Sequence, residues 1–271
     1  MDISEQLNRI SQAVQAKIVA IRGAGRIPQW RTAFNAPAGA EAPGFSDDQW
    51  ETVKLSHNWS ALDGEKWFRA TVPLPENVEG VDLTGTGLEF DVFLALGATV
   101  YADGKEVRTD QWWTDTRAVP LPLTDNYRPG PPLTLAVRCD PGDGFGLFIQ
   151  GSLRFERLEQ LIFDLDLVRT QLTFTAFLAQ KENDPALLQG WQQAAEALDL
   201  PALAGNDWER WTASVTAARS ALEPFASLAK RYMVHLIAHS HIDMNWLWPW
   251  KDTVEVCRRD FTTMDALMEP F

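Results

Sequence analysis

The chain has 271 residues, of which 45% are hydrophobic and 23% charged, and a formal net charge of −13. That size can bury a sizeable core, while the acidic balance argues against nucleic acid and an anionic membrane surface as partners, and the apolar runs are too short to span a bilayer. Cys139 and Cys257 alone give no disulfide framework, and the polar start Met1-Asp2-Ile3-Ser4-Glu5-Gln6 has no secretory pattern, so a cytoplasmic location is expected.

Residues 1–26 read as an N-terminal helix. Ile3, Leu7, Ile10, Val14, Ile18 and Ile21 recur at three- and four-residue spacings through residue 22. Arg22-Gly23-Ala24-Gly25 supplies the stop. The role of this helix is packing rather than chemistry.

Residues 27–155 lose that period. Apolar β-type runs lie at Trp67–Val72, Leu88–Phe93, Ala98–Tyr101, Leu133–Arg138 and Leu147–Gln150. Asp103-Gly104 supplies the positive φ angles of a type I′ hairpin turn. Short strands at regular intervals predict a β-sandwich, jelly-roll-like and similar to galactose-binding domains.

Residues 156–231 return to helix and predict a helical linker. Leu158, Leu161, Ile162, Leu165, Val168 and Leu172 mark one face of a long first helix. Asp184-Pro185 opens a second, with Asp as N-cap and Pro in the first turn, continuing to Leu200 before Pro201 stops it. A third starts near Asp207 with Trp208, Trp211, Val215 and Leu222 on one side, and Pro224 kinks or divides it.

Residues 232–271 switch again. Tyr232–Ala238 suits a buried strand of a parallel sheet, and 252–268 a helix with Val254, Val256, Phe261, Met264 and Leu267 as its apolar positions. Strand, polar loop and helix begin an α/β domain, where ligand sites lie at the carboxyl ends of strands. The fold class expected is therefore mixed: a sandwich with flanking helices, a helical linker, and the first strand-loop-helix of an α/β catalytic domain.

Three of the chain's four histidines, His235, His239 and His241, fall within seven residues at that strand end. On an extended backbone His239, His241 and Asp243 project to one side, because side chains alternate with period two. Imidazole and carboxylate are suitable zinc ligands, but a catalytic zinc needs three protein ligands and an open position. The remaining histidines, His57 and His235, do not visibly complete the set. Beside the cluster stands the aromatic run Trp246-Leu247-Trp248-Pro249-Trp250. A metal next to an aromatic platform suits a polyol that is both chelated and stacked, and a sugar is the natural candidate.

These residues, Ala238-His239-Ser240-His241-Ile242-Asp243, the tryptophan run and Asp252-Thr253-Val254-Glu255-Val256-Cys257-Arg258-Arg259, resemble the start of the catalytic domain of glycoside hydrolase family 38, the zinc-dependent α-mannosidases. Ile242 and the Trp-Leu-Trp-Pro run are more similar to the cytosolic, vacuolar and bacterial branch. The resemblance implies that His241 and Asp243 are metal ligands, that Trp246 stacks on the mannose, and that His239 supports the ligands from behind. It further implies a retaining mechanism on α-mannoside oligosaccharides, with a carboxylate nucleophile and a carboxylic acid, and a homo-oligomer. The family's nucleophile, acid and other two ligands lie downstream of this motif and match nothing here. Asp252, Glu255, Asp260 and Asp265 read instead as a solvated helix face. The chain is thus expected to be an N-terminal portion, inactive alone.

A carbohydrate-binding module is the alternative, with Trp50, Trp59, Trp67, Trp112 and Trp113 as stacking platforms in the sandwich. Against it stands a sandwich that is purely structural. A small zinc protein of unrelated role is the third reading. One strand and one helix cannot cover both faces of a parallel sheet. Residues 232–271 should therefore exchange their amide hydrogens faster than the sandwich does; equal protection would refute the expectation.

Overall fold

The computed structural model describes residues 2–94, 97–110, 120–142, 144–233, 235 and 250–268. The chain divides into two units, Met1–Phe225 and Ala226–Phe271. In order, the elements are α1 (Ile3–Ala24), β1 (Trp30–Phe34), β2 (Glu51–Val53), β3 (His57–Ser60), β4 (Lys66–Leu74), β5 (Asn77–Val78), β6 (Val81–Asp82), β7 (Leu88–Leu94), β8 (Ala98–Ala102), β9 (Lys105–Asp110), β10 (Leu121–Thr124), β11 (Gly130–Cys139) and β12 (Phe145–Phe155). Helices α2 (Glu156–Glu182), α3 (Pro185–Ala197), α4 (Leu200–Ala204), α5 (Trp208–Ala221), α6 (Pro224–Ala229) and α7 (Trp250–Met268) follow. Among the described residues no helix is long and apolar enough to cross a membrane.

Two antiparallel sheets form the sandwich, ordered β2-β1-β4-β11-β8-β9 and β10-β7-β12-β3. Each of the five expected runs lies in a strand. The Asp103-Gly104 turn has φ of 48° and 76° and joins β8 to β9, as the type I′ geometry requires. Four strands of these two sheets escaped the sequence pattern: β1, β2, β3 and β10. They are short and mix charged or polar residues with apolar ones, so their partners rather than their own composition fix them.

The core between the sheets is aromatic. Phe148 of β12 meets Trp30 of β1 at 4.9 Å and 61°, and Phe68 of β4 at 4.9 Å and 72°. Trp59 of β3 lies 5.1 Å from Phe68. Edge-on contact places positive ring edges against negative faces, and each fully buried ring contributes roughly 1.5–3 kcal/mol. All four side chains are buried.

The helices of the first unit pack on one another: α2 on α1 and α3, α3 on α5, and α4 on α1. The expected face of α2 is the buried one, with Leu158, Ile162, Leu165, Val168 and Leu172 inside. Trp191 of α3 is fully buried against α2 and donates its indole N–H to the Leu172 carbonyl at 3.0 Å. Asp184 caps α3 as expected, accepting from the Ala186 N–H at 2.8 Å. Two boundaries differ from expectation. The second helix ends at Ala197, and Pro201 lies in the first turn of α4 instead of stopping a helix. Its missing N–H costs nothing there, because first-turn N–H groups have no helical partner. Pro224 divides, with α5 ending at Ala221 and α6 starting at Pro224.

α1 passes through Gly23 to Ala24 before Gly25 caps it, two residues beyond the expected stop. The chain then lies against β12: the Leu153 N–H donates to the Gly25 carbonyl at 2.8 Å, and Arg26 bridges Ser152. A Cβ on Gly25 would sit 2.0 Å from the Leu153 carbonyl oxygen, whereas one on Gly23 would meet nothing within 4 Å. Gly25→Ala should lower stability by roughly 1–3 kcal/mol through this backbone collision. Gly23→Ala should raise it by about 0.5–1 kcal/mol, as alanine suits a helix better. Urea unfolding of both variants checks the pair, and a Gly25→Ala protein as stable as wild type would contradict the collision.

Candidate functional site

The motif that carries the chemistry, His239, His241, Asp243 and Trp246, lies outside the described residues, as does most of the strand expected at 232–238. Of that strand, Tyr232, Met233 and His235 are described and carry no strand hydrogen-bonding pattern. The element after the motif is clear: α7 begins at Trp250, two residues before the expected start. Trp250, Val254 and Phe261 are exposed at four- and seven-residue intervals, an apolar stripe along one side of α7.

The carboxylates of α7 have ordinary helix-surface roles. Glu255 is exposed and pairs with Arg258 at 2.9 Å, one turn on. Asp260 pairs with Arg259 at 3.0 Å. Asp265 is exposed. Such pairs contribute little to stability and hold no carboxyl poised for proton transfer. Among the described residues no three His, Cys, Asp or Glu side chains gather to hold a metal ion. The donors of the motif, an imidazole and a carboxylate, are nitrogen and oxygen ligands of the kind zinc accepts.

The sandwich tryptophans are largely committed to packing. Trp59 and Trp67 are buried. Trp67 stacks on Tyr101 at 5.9 Å and 15° and donates its N–H to Glu65 Oε1 at 2.6 Å. Trp50 packs against the cluster of Ala40, Trp67 and Ala136 and meets Phe45 edge-on at 5.6 Å. Trp59 and Trp67, being buried, offer no open indole face to a sugar, and Trp50 is partly buried. Trp112 and Trp113 lie outside the described residues.

His57, on β3, is a packed imidazole. Its ring lies nearly parallel to Trp59, 6.1 Å away at 18°, and edge-on to Phe68. Its Nε2 is buried without a partner among the described residues. Burial first, and then the nearby Lys66 ammonium, hold its pKa below the ordinary 6.5, against an opposing pull from Glu51. Lys66 is itself buried, with its ammonium 3.9 Å from the centre of the Phe34 ring. Burial is the main cause that lowers its pKa, while Glu51, Asp63 and Cys139 oppose the shift. A depressed folded-state pKa means that the unfolded chain takes up the His57 proton first. The stability this gives is complete above 6.5 and is lost as pH falls through the folded value. His57→Phe should therefore flatten the fall in melting temperature as pH drops below 6.5; an unchanged slope would place the titration elsewhere.

Comparison with known proteins bears on the second unit. Residues 231–271 match the family model for the glycosyl hydrolases family 38 N-terminal domain. Over 39 residues the chain is 46% identical to Alpha-mannosidase 2C1 of Mus musculus and to that of Homo sapiens. The matched stretch covers 14% of this chain and 4% of each of those proteins. Solved structures similar to this chain include a glycosyl hydrolase family 2 member from Bacteroides cellulosilyticus, with TM-score 0.39 and 19% identity, covering 47% of this chain and 20% of that one. Another is a beta-glycosidase from Bacteroides vulgatus, with TM-score 0.40 and 18% identity, covering 48% and 20% respectively. The segment that bears His241, Asp243 and Trp246 is thus similar to the N-terminal domain of the glycosyl hydrolases of family 38.

Proposed function

We propose that the protein to which this chain belongs is a zinc-dependent retaining α-mannosidase. It removes terminal α-mannosides from oligosaccharides in the cytoplasm. The observation that carries the reading is the family match over residues 231–271, which contains the His-x-His-x-Asp motif and its tryptophans. The names of the 46%-identical relatives point to the same substrate class. Two cysteines that are both free thiols suit the reducing compartment.

In this reading His241 and Asp243 supply a neutral imidazole and a carboxylate to the metal. Bound zinc would add Lewis acidity beside the sugar hydroxyls. Trp246 would place an indole face against the apolar face of the mannose ring and so fix its orientation. Residues 1–271 offer no carboxyl pair assigned as nucleophile and acid, so the 271-residue chain on its own should not turn over. In the retaining scheme that pair stands about 5–5.5 Å apart across the glycosidic bond.

The test uses the whole native gene product and an aryl α-mannoside. Hydrolysis should stop on chelation and return with zinc. His241→Ala and Asp243→Ala should each reduce it by more than about 100-fold, since even groups behind the ligands cost about 10–100-fold when removed. Trp246→Ala should act mainly through KM. Hydrolysis that survives both chelation and the ligand variants would refute the zinc assignment, and turnover by the 271-residue chain alone would refute the need for further catalytic residues.

A further inference from the structure

A cleft of about 720 Å³ lies between the segment after α1 and strands β1, β2 and β4. Arg26, Arg31 and Arg69 line it, with Asp47 the sole acidic residue among the lining residues. Asp47 is already committed. It accepts from Arg69 Nε at 3.0 Å. Arg69 is 2% exposed and is otherwise satisfied by the carbonyls of Ala40 and Phe45 and the Phe45 ring. This pair is neutral and fixed.

The other two cations have no carboxylate. Arg31 uses only Nη1, which donates to Thr52 Oγ1 at 2.8 Å and to the Trp50 carbonyl at 3.3 Å. Its Nε and Nη2 bond to no described residue. Arg26 is exposed, and its side chain makes no hydrogen bond or ion pair with a described residue. Arg31 and Arg69 are also direct partners across β1 and β4, a placement in which like charges repel. A chain of net charge −13 thus keeps two uncompensated guanidiniums in one concave place.

We propose that this cleft binds a phosphate group, either free or as the monoester of a small organic molecule. Two guanidiniums match a dianion in charge, and their planar donor forks match phosphate oxygens in geometry. The volume is that of a small-molecule site. Ile27, Val72 and Pro73 give apolar walls on which an organic body can rest. The fixed Arg69–Asp47 pair holds the 40–47 segment in place beside the site. This site does not depend on the mannosidase reading, because its residues all belong to the first unit.

Isothermal titration of the full chain at low ionic strength tests it, with inorganic phosphate, glucose 6-phosphate and glucose as separate probes. One phosphate should bind per chain, and glucose should not bind. Arg26→Ala and Arg31→Ala should each weaken phosphate about 10-fold or more, the loss of one charge-assisted contact. Tighter binding of glucose 6-phosphate than of phosphate assigns a monoester as the ligand, and equal affinity assigns the anion alone. Arg26→Ala removes an exposed side chain with no bonds to lose, so it keeps the fold. The proposal is overturned if neither phosphate probe saturates, or if affinity is unchanged in both variants.

Discussion

One ammonium group joins three distant segments of the first unit. Lys17 of α1 is nearly buried and reaches Glu79 at 2.8 Å and the side-chain oxygen of Asn206. Glu79 and Gly80, with φ of 50° and 76°, make the turn between β5 and β6. Asn206 stands just before α5, and Trp208 of α5 donates its N–H to the Glu79 carbonyl at 2.8 Å. The hydrogen bond from Lys17 is the main reason that the Glu79 carboxyl lies below the usual carboxylate range. An ammonium this deep is tolerable only while both oxygen partners remain, because an unpaired buried charge is far costlier than the pair is stabilising. The β5–β6 turn, α1 and the start of α5 therefore hold position together. Once α1 is fixed, Gly25 lies on Leu153, and Arg26 falls beside the cleft. The phosphate site proposed there inherits its geometry from a contact that does not touch it.

The parts of this fold legible in the sequence are those whose local chemistry agrees with their environment. Asp184-Pro185 satisfies a helix start by itself, and Asp103-Gly104 satisfies a hairpin by itself. The buried stripe of α2 repeats often enough to stand above noise. β1 fails that test: Trp30-Arg31-Thr32-Ala33-Phe34 alternates, but Arg31 and Thr32 blur the pattern over five residues. Its partner strands β2 and β4 decide its conformation. Pro201 misled for a related reason. A proline ends one helix or starts the next, and only the Asp199 side chain, accepting from Ala202 at 2.9 Å, settles which.

The two candidate sites differ in legibility for the same physical reason. His239, His241, Asp243 and Trp246 occupy one short stretch, so their chemistry can be read in line. Arg26, Arg31 and Arg69 come from a loop and two strands, and Asp47 from another loop. Nothing in their spacing announces a cluster. The one available signal was Arg69 within the apolar run Trp67–Val72, a charge that a buried strand accepts only with a partner.

The two sites also have opposite electrostatic demands. An α-mannoside is uncharged, so a field of net charge −13 neither draws it in nor repels it. In the proposed mannosidase, recognition at the motif would come from short-range forces: an indole face and coordination beside it. A phosphate approaching the same chain is repelled at long range and would be attracted within the cleft, where Asp47 is the sole lining carboxylate and is already paired with Arg69. Salt screens both contributions beyond about 8–10 Å. Added salt should leave mannoside binding nearly unaltered, while it weakens the contact with phosphate at close range and relieves the repulsion farther out.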